Sequence, residues 1–181
     1  EGFLETIREQ TQKSKSLLIF DEVITGFRLF YGGAQTVMKI KPDLTCLGKI
    51  IGGGFPIGAY GGCREIMDFV APLGPVYQAG TLSGNPVGVA AGLATLRVLK
   101  QKMPYAAMAE KTSYLVRELL SLAALRGLPV RINHMASMLT LFFSNDRVND
   151  FKSAKKSDTR LYARFFHSLL KQGVYFPPAQ F

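Results

Sequence analysis

The chain has 181 residues, 48% of them hydrophobic and 19% charged, and a formal net charge of +9. That is enough apolar material for a buried core and too much for a disordered chain, while no stretch reaches the roughly 18–20 uninterrupted apolar residues of a membrane helix. The positive charge does not mark a nucleic-acid binder, because its densest cluster, Lys152, Lys155 and Lys156, has no interleaved stacking aromatics and the other cations are scattered, as on a solvated basic face.

In chain order, Phe3, Leu4 and Ile7 predict a short helix ending in the polar run of residues 10–16. Residues 17–20, Leu-Leu-Ile-Phe, form an apolar run of strand length, as expected of a strand buried on both faces, with Asp21 and Glu22 directly after it. Glu22 and Arg28 read as structural and are expected to pair. Residues 44–47 predict a second strand ending at Gly48-Lys49, and residues 57–61 a third, followed by a helix over about 64–70. An acidic and a basic residue thus stand at the ends of two short strands, and open α/β sheets take ligands at the carboxyl ends of their strands. The two cysteines, Cys46 and Cys63, have no metal-ligand spacing and read as small core residues of a protein kept reduced.

Further on, Asn85 is a good N-cap and Pro86 suits the first helical position. The helix they start is apolar almost all round, with Gly88, Ala90, Ala91, Gly92 and Ala94 along it, which predicts burial on most sides. Pro104 breaks the pattern. A long amphipathic helix then runs to about Arg126, where Gly127-Leu128-Pro129 ends it. Residues 137–143 predict a strand, and residues 158–172 a helix with Leu161, Phe165 and Leu169 on one stripe and Gly173 as its stop. Residues 174–176 predict a last short strand. A domain boundary falls near residues 100–105, giving 1–104 and 105–181 as two domains. His134 and His167 read as surface or helix-face residues.

The chemistry centres on "CLGKIIGGGFPIGA", residues 46–59, which sets Lys49 before three glycines. The run is not a P-loop, where the glycines precede the lysine, and its glycines miss the dinucleotide-binding spacing. Two readings remain for Lys49: a surface lysine in a glycine-rich turn, or an amine kept partly desolvated as a nucleophile. Asp21 stands 28 residues earlier, at a strand end, and by itself reads as a turn former or cap. Together the two suggest a pyridoxal phosphate site, which needs an amine for the cofactor's aldehyde and a carboxylate to keep its ring nitrogen protonated. Val23 is apolar, as a residue packing on the ring face should be.

Four segments carry a resemblance: "FDEVITGFR" from Phe20, "YGGAQ" from Tyr31, "PDLTCLGKIIGGGFPIGAYGG" from Pro42 and "YQAGTLSGNP" from Tyr77. They are similar to the class III pyridoxal-phosphate-dependent aminotransferase family, and the similarity runs the length of the chain. The resemblance implies an α/β fold of the fold-type I kind, with residues 1–104 part of the large mixed-sheet cofactor domain and 105–181 part of the small C-terminal α/β domain. It implies that Lys49 binds the cofactor covalently and moves protons between substrate carbons, that Asp21 pairs with the ring nitrogen, and that Val23 packs on one ring face. Thr81, with the backbone of Gly80, is implied to bind the cofactor phosphate across a homodimer, in the neighbouring subunit's site. A hydroxyl and neighbouring amides in a glycine-containing turn suit that task.

The wording "GAQ", "KIIGGG" and "GTLSGNP" resembles the branch of the family that isomerises glutamate-1-semialdehyde to 5-aminolevulinate, a tetrapyrrole precursor, by intramolecular amino transfer. The alternative is an ω-aminotransferase with separate amino donor and acceptor; a third reading is a degenerate fragment kept as an interaction module, against which intact Asp21, Lys49 and Thr81 speak. No metal, nucleic acid or membrane partner is expected, and with no signal peptide at the start the expected setting is cytoplasmic, or a plastid stroma for a plant protein. The chain lacks an initiator Met, and the family's chains are more than twice as long. It is therefore expected to be a piece of a longer protein, and inactive by itself. Cys63 stands where the family commonly has a basic residue, a change expected to be harmless at the surface.

Overall fold

The computed structural model of the chain describes residues 2–180, which divide into two compact units at Tyr105 and Ala106. The architecture is α/β, as the sequence predicts.

The first unit opens with helix α1, Phe3–Lys13. It runs four residues into the polar stretch expected to end it, because Lys13 pairs with Glu9 one turn back at 2.6 Å and such pairs support exposed helical turns. Strand β1 is Ile19–Glu22, two residues later than the apolar run suggests. The side chain of Asp43 explains the shift: its carboxylate accepts the Leu18 amide at 2.7 Å, and Arg8 clamps the same oxygen at 2.9 Å. The Leu18 N–H is thereby diverted to a side chain. The strand is also not buried on both faces. Phe20 and Glu22 turn inward, while Ile19 and Asp21, on the opposite face, are exposed.

Strand β2 is Leu44–Leu47, as predicted, and β3 is Ala59–Gly62. β2 is central. It pairs with β1 in parallel, Ile19 opposite Leu44 and Glu22 opposite Leu47, and with β3 antiparallel, Leu47 opposite Ala59. Between β1 and β2 lies the short helix α2, Ala34–Met38. Helix α3 is shorter than predicted, at Arg64–Met67. Of the cysteines, Cys46 is half-buried on β2 but Cys63 is exposed, so only the surface reading of Cys63 holds.

Helix α4, Pro86–Lys102, starts as its sequence dictates: the Asn85 side chain accepts the Gly88 amide at 2.8 Å. The expected burial does not follow. Only Gly88 and Gly92 are buried, and Val87, Val89, Leu93 and Val98 are exposed. The glycine stripe is the side of α4 that packs within this unit.

The second unit is built on most of α5, Tyr105–Leu125, and on the antiparallel hairpin of β4, Val130–Met135, and β5, Met138–Phe143. β4 is absent from the sequence reading, although Val130 and Ile132 turn inward and Arg131 and Asn133 outward; the alternation lasts only four residues before His134 breaks it. Ala123, Val130, Leu141, Phe143 and Tyr162 form the core, with Phe165 packed against it. Helix α6, Phe151–Ala154, also escapes the sequence reading, being a single turn held by an Asp150–Ser153 capping box. Helix α7, Thr159–Lys171, is capped by Asp158 and stops before Gly173, at φ +78°. Residues 174–176 are not a strand. The Val174 amide turns back to the Leu169 carbonyl, and Phe176 packs on Phe165. His134 and His167 are both exposed.

Candidate active site

The parallel register of β1 and β2 brings two of the predicted residues to one edge. Asp21 lies opposite Cys46 and Glu22 opposite Leu47, so Lys49, two residues beyond Leu47, leaves β2 at the same carboxyl edge that Asp21 occupies on β1. Val23 stands at that edge too. A Cβ added to Gly48 would come within 3.2 Å of its Cγ1, so the missing side chain at Gly48 is what lets Val23 lie against the backbone just before the lysine. The edge therefore presents a carboxylate, an aliphatic surface and an amine in one neighbourhood.

Asp21 is exposed. One of its carboxylate oxygens accepts the Val23 amide at 3.0 Å, which orients the side chain, and the other takes no hydrogen bond among the described residues. Lys49 begins a 3₁₀ turn, Lys49–Gly52, with its backbone in the left-handed region at φ +47°. It is exposed and makes no ion pair among the described residues. The desolvated amine expected from its apolar neighbours is therefore not built here: Ile50 and Ile51 are partly buried, but the left-handed backbone carries Lys49 outward from them.

Glu22, adjacent to Asp21, has a contrasting setting. It is 1% exposed. Its Oε2 accepts from Thr25 Oγ1 at 2.8 Å and from the Ala34 amide at 2.6 Å, and its Oε1 from the Gln35 amide at 2.8 Å and Gln35 Nε2 at 3.2 Å. Gln35 reaches on to Thr45 Oγ1 at 3.3 Å. Glu22 thus ties the end of β1 to the start of α2, and α2 to β2. Its partners are the turn of "YGGAQ", a role that the sequence hints at only by placing two glycines before Ala34.

Gly80 and Thr81 are not part of that edge. They lie in an exposed turn that leads into α4, where the Ser83 amide donates to the Gly80 carbonyl at 2.9 Å and the Asn85 amide to Leu82 at 3.1 Å. α4 in turn packs on the 3₁₀ turn that carries Lys49. Two cavities of this unit, of about 730 and 520 Å³, are lined by none of Asp21, Val23 and Lys49: the first by residues such as Arg8, Gln35, Asp43 and Leu47, the second by Leu17, Phe69 and Tyr77. No group of three or more metal-ligating side chains occurs among the described residues, and no helix there is long and apolar enough to cross a membrane.

The donor set fits pyridoxal phosphate. An accessible amine, an oriented carboxylate with a free oxygen, and an aliphatic side chain beside them match an aldehyde, a protonated ring nitrogen and a ring face in turn.

Comparison with known proteins agrees in kind. A profile of the aminotransferase class-III family matches residues 1–180. The chain is 58% identical to a glutamate-1-semialdehyde 2,1-aminomutase of Pelotomaculum thermopropionicum, covering 99% of this chain and 42% of that protein. It is 55% identical to the protein of the same name from Desulforamulus reducens, over 100% of this chain and 42% of the relative. Among solved structures it is similar to an omega-transaminase from Sphaerobacter thermophilus, with a TM-score of 0.82 at 33% identity, covering 99% of this chain and 42% of that one. The chain thus spans well under half the length of the relatives it matches.

Proposed function

The chain belongs to the class III aminotransferase family, and from that premise we propose that it is part of a pyridoxal-phosphate-dependent aminomutase that converts glutamate-1-semialdehyde to 5-aminolevulinate by moving an amino group within one substrate. The observation that carries the reading is the shared edge: the β1–β2 register puts Asp21 and Lys49 at the carboxyl ends of two paired strands, where Val23 packs against Gly48. The identity of 55–58% to proteins named glutamate-1-semialdehyde 2,1-aminomutase favours isomerisation over transfer between two substrates.

Lys49 would hold the cofactor through its amine, Asp21 would hold the ring nitrogen, and Val23 would cover one ring face. The turn at Gly80 and Thr81 would take the phosphate, reaching a neighbouring subunit of a homodimer. When bound, the cofactor supplies an electron sink that stabilises negative charge on a substrate carbon. Asp21 keeps that sink effective, because a carboxylate favours the protonated ring nitrogen over the neutral one. Lys49, once free, takes a proton from one substrate carbon as a neutral amine and returns it to another as an ammonium. The two units would be parts of the cofactor domain and the small C-terminal domain, and the walls that dry Lys49 would come from the remaining length that the relatives possess. The protein would act in the cytoplasm, or in a plastid if it comes from a plant.

The test uses the full-length protein. It is loaded with pyridoxal phosphate, reduced with borohydride and digested, and the pyridoxyl group should map to Lys49; a label elsewhere, or none, refutes the site. Glutamate-1-semialdehyde should then be consumed without any added amino donor. A strict need for a second amino acid would make the enzyme a transaminase instead.

A further inference from the structure

Lys49 is one of six non-glycine residues with positive φ among those described. An L-residue in the left-handed region is disfavoured by its own Cβ, and such a conformation persists only where the surroundings impose it. The 3₁₀ turn closes through Ile51 N–H to Gly48 O at 3.2 Å and Gly53 N–H to Ile50 O at 3.0 Å. It lies flat on α4. The Ile51 carbonyl sits where a Cβ on Gly92 would be, so that any side chain there would overlap it. One turn along, a Cβ on Gly53 would stand 2.5 Å from Thr95 Oγ1 and 2.7 Å from the Ala91 carbonyl. On its other side the turn is backed by Ile57, whose Cγ2 is 2.8 Å from a Cβ built on Gly52. The turn is therefore held between α4 and Ile57, and the contact with α4 depends on a glycine that a helix interior would otherwise disfavour.

We infer that Gly92 is a positioning residue for Lys49: by letting the Ile51 carbonyl seat on α4, it holds the lysine backbone left-handed and aims the amine along the edge shared with Asp21. The inference rests on the reading of Lys49 as the cofactor-binding amine, but the mechanical part stands by itself. Gly88, one turn earlier on the same helix, is the natural control. The three atoms nearest to a Cβ there all belong to the Asn85 side chain, the first at 3.1 Å.

The test is a double-mutant cycle in the full-length protein, purified free of cofactor. Lys49→Gly removes the strained Cβ and should raise the thermal midpoint by about 1 °C. In a Gly92→Ala background, where the turn is pushed off the helix, that gain should vanish. In a Gly88→Ala background it should persist. The second readout is the rate at which pyridoxal phosphate and borohydride label Lys49, which should fall at least about tenfold in Gly92→Ala and stay unchanged in Gly88→Ala. An undiminished Lys49→Gly gain, or equal labelling of Lys49 in the two alanine variants, overturns the inference. Should Gly92→Ala fail to fold, Thr95→Leu, which crowds Gly53 from the same helix face, carries the same expectations. The stability cycle involves no cofactor, so failure of Lys49 to be labelled in the parent protein would refute the functional reading and leave the mechanical coupling between Gly92 and Lys49 to stand or fall on the thermal midpoints.

Discussion

Asp21 and Glu22 are neighbours with the same chemical group, and their substitution should separate stability from activity. In Glu22→Gln, one oxygen remains to accept from Gln35, but the new amide group faces the Ala34 N–H, which now donates to Glu22 at 2.6 Å. That buried amide loses a hydrogen bond to a carboxylate, worth about 1.5–3 kcal/mol, and is left without an acceptor. Thr25 can rotate its hydroxyl and loses less. The expected destabilisation is about 2–4 kcal/mol, a large share of the ~5–15 kcal/mol that holds a typical domain together. Asp21→Asn is the opposite case. The residue is exposed, and an amide oxygen can still accept the Val23 N–H. Its stability should stay within ~0.5 kcal/mol of the parent, while turnover falls by ~10²-fold or more, because a neutral amide does not favour a protonated ring nitrogen. Urea unfolding and steady-state turnover on the same full-length preparations read both effects. The reasoning fails if Glu22→Gln unfolds within about 1 kcal/mol of the parent, or if Asp21→Asn loses more stability than that.

Asn85→Ala removes the side-chain cap on the Gly88 amide and should cost about 1 kcal/mol in urea unfolding. Leu141→Ala, at a position 2% exposed in the core of the second unit, should cost about 2–5 kcal/mol by the same measurement. The hydrogen bond from the Leu18 amide, with help from Arg8, holds the Asp43 carboxyl below its ordinary value of 3.8. Its folded-state pKa is depressed, so its stabilising contribution is complete above that ordinary value and fades as pH falls through the lowered one. Asp43→Asn should therefore flatten the acid limb of the stability–pH curve below about pH 4, and a limb of unchanged slope would contradict the contact.

Features decided by neighbours in the chain were legible in the sequence. Leu44–Leu47, the Asn85-Pro86 start of α4 and the Gly173 stop of α7 all lie where local pattern puts them. Features decided by partners from elsewhere were not. The start of β1 is set by Asp43, 25 residues from the Leu18 amide it captures. The last predicted strand is an exception, lost to a local turn back to Leu169 that its apolar run does not announce. The candidate site divides in the same way. Asp21, Val23 and Lys49 could be named from motif and spacing, but the left-handed backbone of Lys49 and its exposure depend on a helix that begins 37 residues later. The partners of Glu22 needed the fold of "YGGAQ" to become visible.

The β1–β2 ladder has a consequence for how such sites vary. Asp21 and Lys49 share an edge because hydrogen bonds hold two short strands in one register, not because 28 residues separate them in the chain. Outside the partners of Glu22, the length of the connection between the strands is thus free to vary. Lengthening a surface loop by a few residues adds only a fraction of a kcal/mol of closure entropy, whereas slipping a strand by one position turns every side chain to the opposite face. Insertions at exposed Lys39, clear of the partners of Glu22, should leave the pair intact, and a single insertion inside either four-residue strand should abolish it. Distant proteins with this chemistry are therefore better recognised by two strand ends in step than by a fixed count of residues.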